Sequence, residues 1–328
     1  MSPDTLTALP PVADRLRQLR VPAFVAPMFL VSTPELVIAS SRAGMVGTFP
    51  APNLRSSAEL GQWMAQVNAG LAAPTTEDWP VAPWALNMVT HSTSPRLPTD
   101  LEQVAEHQPP IVITALGSPR PVIPTVQGYG GLVFADVITE DLARKAADAG
   151  VDGLVLVCAG AGGHTGELSP LVFVERVRRF FDGYICLGGG IATGDAILAA
   201  QTLGADFGYV GTSFIPAAET MAEDAYRQML VDSTAGDLMI TRAFTGARAS
   251  MLKPSMLRQG LDPAELEFKV AKMNFTGRKD EAVKPWSGIW GAGQGVGRID
   301  RVEPAADIVA RFAREYDAAR ARMKQVIA

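Results

Sequence analysis

At 328 residues, 48% hydrophobic and 19% charged, the chain holds enough apolar material for a large core and too little charge for disorder. A formal net charge of −5, with no segment that concentrates the 29 Lys and Arg, argues against nucleic acid, and two cysteines exclude a disulfide framework or a Cys-rich zinc site. No signal peptide and no run of about 18 apolar residues is legible, so the expectation is a soluble cytoplasmic protein with reduced thiols and no membrane partner.

In chain order, short β-branched apolar runs alternate with amphipathic stretches of helical length. Residues 23–26 read as the first strand and 35–43 as its helix. Residues 45–49 and 58–69 repeat the unit, as does 84–88 with a third helix ending near His107. The strand 111–115 is followed by 119–129, where Pro121 and Pro124 leave room for only a turn or two of helix. Strands 132–135, 153–157 and 184–187 pair with helices 140–149, 170–180 and 195–203, and 207–210 is the eighth strand. Continuous apolar strands joined by helices predict a parallel sheet covered on both faces. Eight such units predict an α/β fold of the closed (β/α)8 TIM barrel type, with an open doubly wound sheet as competitor.

After Val210 the chain departs from the repeat. A Met- and Leu-rich stretch, predicted mainly helical, runs from about Thr220 to Lys284, and a glycine-rich stretch from Trp286 to Gly297 follows. Residues 304–324 then read as an amphipathic helix that completes the barrel. The expected organisation is a barrel over 1–219 and 299–328, with an inserted substrate or lid lobe over 220–298.

Two glycine signals end consecutive strands: Gly188-Gly189-Gly190 after the seventh and Gly211-Thr212-Ser213 after the eighth. In a TIM barrel these loops are neighbours on the C-terminal face, where backbone N–H groups can converge on an anion. Neither they nor the other glycine clusters match the dinucleotide fingerprint, which points to the phosphate of a mononucleotide or of a substrate. The sixth strand runs into Gly162-Gly163-His164, and a histidine on a glycine-rich loop of that face suits a general base near neutral pH. His91 and His107 read as bystanders, and three scattered histidines make no metal site.

Several features together carry a resemblance: Ala26-Pro27-Met28, Asn87, Ala161-Gly162-Gly163-His164, the two glycine loops, and Trp290 followed by Gln294. In that order they resemble the nitronate monooxygenase (2-nitropropane dioxygenase) family of FMN-dependent TIM barrels. The resemblance implies FMN without a metal, its phosphate on Gly189, Gly190, Gly211 and Thr212, beside Gly188. It also implies Ala26, Pro27, Met28, Asn87 and Gly163 around the ring, with Gln294 closing over it. His164 would be the base or would orient an anionic substrate, with O2 as co-substrate. The chain departs from the family pattern at Val157 and at Asp136, where a subset carries lysine. An ionised Asp136 would disfavour an anionic substrate or reduced flavin, whereas it could instead bind a ring N–H. Two alternatives stand beside this reading: an NAD(P)H-dependent flavin reductase of quinones or enoyl thioesters, and a non-flavin barrel acting on a phosphorylated substrate. A homodimer is a further expectation.

Overall fold

Eight parallel strands frame the molecule. The computed structural model describes residues 10–244, 246–271 and 288–327, so the expectations for 272–287, Trp286 among them, lie outside the described residues. The strands are β1 (Ala23–Val25), β2 (Gly47–Pro50), β3 (Trp84–Val89), β4 (Ile111–Ala115), β5 (Leu132–Val137), β6 (Gly153–Val157), β8 (Tyr184–Gly188) and β9 (Phe207–Val210). A two-residue strand, β7 (Gly163–His164), lies outside this sheet. The order is β1-β9-β8-β6-β5-β4-β3-β2. The two ends meet where Val25 N donates to Val46 O at 2.8 Å and Val46 N donates to Ala23 O at 3.1 Å, which closes the barrel.

Alternation along each strand, combined with the parallel register, sorts the inward side chains into layers of alternate strands. From the mouth downward the first layer is Ala26, Asn87, Asp136 and Gly188. The second is Thr48, Ile113, Val155 and Tyr209, and the third is Phe24, Ala85, Phe134 and Cys186. Phe24 packs on Phe134 and Phe207 with ring centroids 5.7 and 5.3 Å apart, so the lower interior is filled rather than open. A short helix, α1 (Val12–Arg17), plugs the opposite end with Leu16, which is 2% exposed.

The outer ring follows the sequence pattern: α2 (Pro34–Ala43), α3 (Ser57–Ala72), α4 (Leu97–His107), α5 (Ile123–Gly128), α6 (Glu140–Ala149), α7 (Pro170–Arg178) and α8 (Gly194–Thr202). The proline-rich fourth crossover is indeed the six-residue α5. Thr33, Thr139 and Thr193 cap α2, α6 and α8 by accepting from backbone N–H groups, and Ser56 with Glu59 forms a capping box on α3.

Between β9 and the final helix lie α9 (Asp224–Asp232), β10 (Leu238–Thr241), β11 (Ala249–Leu252), α10 (Lys253–Arg258) and α11 (Pro263–Leu266). The hairpin of β10 and β11 was not legible in the Met- and Leu-rich sequence. It pairs antiparallel with β7, placing Ala249 opposite His164 and Ser250 opposite Gly163. Helix α12 (Ala305–Ile327) then packs between α8 and α2. Gly194 permits this contact: a Cβ there would stand 2.1 Å from Tyr316 N and 2.5 Å from Phe312 O. No helix among the described residues is long and apolar enough to cross a membrane.

Candidate active site at the C-terminal mouth

The ends of β8 and β9 build one side of the mouth from main chain. Gly189 and Gly190 have φ of +138° and +73°, a region that disfavours any side chain. A Cβ on Gly189 would stand 2.7 Å from Ala159 O, so this residue is backed by the β6 loop. A Cβ on Gly190 would meet nothing within 4 Å, and one on Gly211 only Ala26 Cβ at 3.5 Å. Between those two glycines there is room, and the surface around it is backbone.

The glycine-rich return of the chain completes this side. Gly293 N donates to Thr212 Oγ1 at 2.9 Å, and Gln294 N donates to Gly160 O at 2.9 Å. A Cβ on Gly160 would lie 3.0 Å from Gln294 Oε1 and 3.4 Å from Gly190 N. The loops after β6, β8 and β9 and the Gln294 segment therefore converge on one place.

Across the mouth, β3 and β5 contribute side chains. Asn87 is buried, and its Nδ2 donates to Ile113 O at 3.2 Å and to Asp136 Oδ2 at 3.3 Å. Asp136 Oδ1 is sequestered and has no partner. Burial pushes the Asp136 carboxyl up to about 7, against a smaller opposing pull from the Asn87 hydrogen bond. Ala26 N donates to Val210 O at 2.9 Å and Met28 N to Ser32 Oγ at 3.0 Å, which holds the Ala26-Pro27-Met28 turn beside Gly211. Two loops of this face store strain: Leu30 and Leu116 have φ of 58° and 56°.

His164 is not on a free loop, as its glycine neighbours suggested, but in β7, held by β11. Its residue is exposed, while the protein packed around the ring lowers the imidazole below its ordinary 6.5 by desolvation. The flanks are tied down. Thr165 N donates to Arg248 O at 3.1 Å, Thr165 Oγ1 donates to Cys158 O at 3.2 Å, and Arg248 is ion-paired with Glu167. Behind β11, Ser250 Oγ donates to Ala292 O at 2.7 Å and Tyr226 stacks on Trp290 with centroids 4.9 Å apart.

The residues that the sequence proposed for the site sit at this end, Gly163 beside His164 in β7 included. His91 Nδ1 lies 2.7 Å from Thr93 Oγ1 in the β3 loop, and His107 ends α4 at the other end of the barrel. Cys158 and Cys186 are buried free thiols. Sequence reasoning missed Thr48 and Tyr209, whose buried hydroxyl oxygens have no partner in the second layer. The only available signal was alternation along β2 and β9.

These residues fit FMN. An open cradle of glycine main chain suits a phosphate, and the sequestered, unpartnered Asp136 Oδ1 across the mouth suits a ring with polar edges.

Comparison with known proteins gives the same direction. The family model "Nitronate monooxygenase" matches residues 13–315. A nitronate monooxygenase of Paraburkholderia phytofirmans is 26% identical, over 93% of this chain and 94% of that one. A monooxygenase-named protein of Mycobacterium tuberculosis is 29% identical over 66% of this chain, and the match spans 61% of that relative's length. Among solved structures, nitroalkane oxidase from Streptomyces ansochromogenes shares the fold with a TM-score of 0.75 at 23% identity, covering 94% of this chain and 99% of that one. FabK from Thermotoga maritima shares it equally, at 0.75 and 22% identity over 97% and 100%. The chain belongs to the nitronate monooxygenase family, whose members are FMN-dependent oxidoreductases.

Proposed function

We propose that the protein oxidises alkyl nitronates with O2, with a carbonyl compound and nitrite as products. The observation that carries this reading is the convergence of an open glycine cradle and a histidine-bearing strand at one mouth, in a chain of this family. Gly188, Gly189, Gly190, Gly211 and Thr212 would hold the phosphate of FMN. Ala26, Pro27, Met28, Asn87, Asp136 and Gly163 would surround its ring, and the Gln294 segment would close over it. Bound FMN supplies an electron acceptor and reactivity toward O2.

His164 acts as the base or orients the nitronate. Its lowered pKa keeps the imidazole neutral, able to accept a proton, across the neutral range. The hairpin fixes the backbone on which that imidazole is carried. The inserted segment, residues 220–298, is the substrate lobe in this reading, and its hairpin pairs with β7.

The test is anaerobic mixing of the flavin-loaded protein with propyl nitronate or with NADPH, followed near 450 nm. Bleaching by the nitronate, and nitrite release once O2 is admitted, is the expected result. Asp136 favours a second reading above about pH 7, where its carboxyl ionises and opposes an anionic substrate. In that reading the protein is an NAD(P)H-dependent flavin reductase of quinones or enoyl thioesters. Bleaching by NADPH and not by the nitronate would establish it. A purified protein that carries and binds no flavin would instead indicate a phosphorylated substrate in the cradle.

A further inference from the structure

The pairing that carries His164 is short and one-sided. β7 is two residues long and lies at one edge of its sheet, with β11 as its partner. The lead-in is glycine-rich, and Gly160 and Gly163 have φ of +92° and +62°, so the approach to His164 is permissive backbone. Two ladder pairs behind such a lead-in are a weak hold on a side chain, and the flank beyond His164 adds a second.

Thr165 supplies that second hold. It is 3% exposed, whereas its neighbour His164 is exposed, the alternation expected of extended backbone. Thr165 Oγ1 lies 3.2 Å from Cys158 O and 3.4 Å from Gly166 O, so the shorter bond runs to the end of β6. The main chain then passes directly over that end, where a Cβ on Gly166 would stand 2.1 Å from Val157 O. Ala159 N donates to Leu168 O at 2.9 Å and closes the loop.

Cys158 is the junction. Its N–H donates to Gly188 O at 2.8 Å, on the strand that leads into the glycine cradle, and its carbonyl accepts from Thr165. The next carbonyl, that of Ala159, backs Gly189. Thr165 therefore ties the histidine segment to the barrel frame that also carries the cradle, while its N–H, donating to Arg248 O at 3.1 Å, ties it to the hairpin side. Valine would fill the same volume without burying a hydroxyl, so packing alone does not call for threonine here.

We propose that Thr165 is a positioning residue: its hydroxyl bond to Cys158 O fixes His164 relative to the glycine cradle, and so relative to a cofactor held there. The inference rests on the role given to His164 above.

The test is anaerobic reduction of the flavin-loaded full chain by propyl nitronate over a series of concentrations, which separates the limiting rate from the half-saturating concentration. Thr165→Val keeps the side chain's shape, and Cys158 O retains Ala161 N as a donor at 3.3 Å, so the variant is expected to fold and keep its flavin absorbance. Its limiting rate is expected to fall about tenfold, with the half-saturating concentration changed by less than about twofold. Thr165→Ser, which keeps the hydroxyl, is expected to restore the rate to within about twofold of the wild type. Should the valine variant fail to fold, Thr165→Ala against Thr165→Ser carries the same comparison, and equal rates in those two overturn the inference. In a His164→Asn background Thr165→Val is expected to change nothing further, because a positioning residue acts only through the residue it positions. Equal losses in both backgrounds would make Thr165 a general support of the loop and overturn the inference. An unchanged limiting rate in Thr165→Val, with His164→Asn impaired, overturns it and leaves the role of His164 standing. An unimpaired His164→Asn, or a wild type that the nitronate does not reduce, removes that role and the inference with it.

Discussion

The two sides of the mouth are built on opposite principles. At the ends of β8 and β9 the surface is main chain, and its defining property is the space left by Gly190 and Gly211. At the ends of β3 and β5 it is side chain, and its defining property is a carboxyl pushed toward neutrality beside an amide. The first side recognises by shape and oriented dipoles and is indifferent to pH over the neutral range. The second is a titrating surface. Substitutions should therefore separate them, by added bulk on one side and altered protonation on the other.

The largest effect is expected from neither side but from the strand between them. His164→Asn should lower kcat/KM for the nitronate by roughly 10²–10⁴, the usual range for a general base, with flavin absorbance retained. Equal turnover in that variant would take His164 out of the chemistry. In the wild type the acid limb of kcat/KM should fall below pH 6.5, because desolvation lowers this imidazole.

Next comes the main-chain side. Gly190→Val places a β-branched residue at φ +73° in the open cradle, and FMN Kd should rise on the order of 10–100-fold. Equilibrium dialysis of FMN checks this. An unchanged Kd would mean that the space beside Gly190 is not where the phosphate lies.

The side-chain side should respond to pH. The Asp136 carboxyl is raised from its ordinary 3.8 to about 7, so the folded chain holds this proton more tightly than the unfolded chain. The stabilisation is complete below about pH 4 and is lost as pH rises through about 7. Asp136→Asn should therefore gain on the wild type by on the order of 1–3 kcal/mol between pH 4 and pH 8. Urea melts at the two pH values measure it, and a pH-independent difference would contradict the titration.

The smallest effect is expected behind the histidine. Ser250→Ala removes the buried hydrogen bond to Ala292 O and should cost about 1–2 kcal/mol. Hydrogen exchange at the β7–β11 pairs should accelerate with it.

Most of the frame was legible because parallel barrel strands are apolar on both faces. The runs 111–115, 153–157 and 207–210 read as they fold. The second strand runs over Gly47–Pro50 rather than 45–49, because Met45 and Val46 are as apolar as the strand itself, and Val46 pairs with β1 alone. The glycine loops were legible because turns at strand ends demand them. What sequence hid is what depends on closure. Tyr209 and Thr48 are inward only because of the register. The raised Asp136 depends on burial inside the closed barrel, which the hydrogen bond from Asn87 on another strand only partly opposes. The β10–β11 hairpin was hidden because its third strand comes from a histidine segment far earlier in the chain.

That long-range pairing has an evolutionary corollary. The imidazole is borne by the barrel, but its backbone is aimed by a segment that enters some 85 residues later, opposite Ala249. Lengthening, shortening or retwisting the appended hairpin would redirect a reactive group without altering a single barrel residue. Diversification of what such an enzyme accepts can then proceed by editing a module whose own sequence contributes no chemistry.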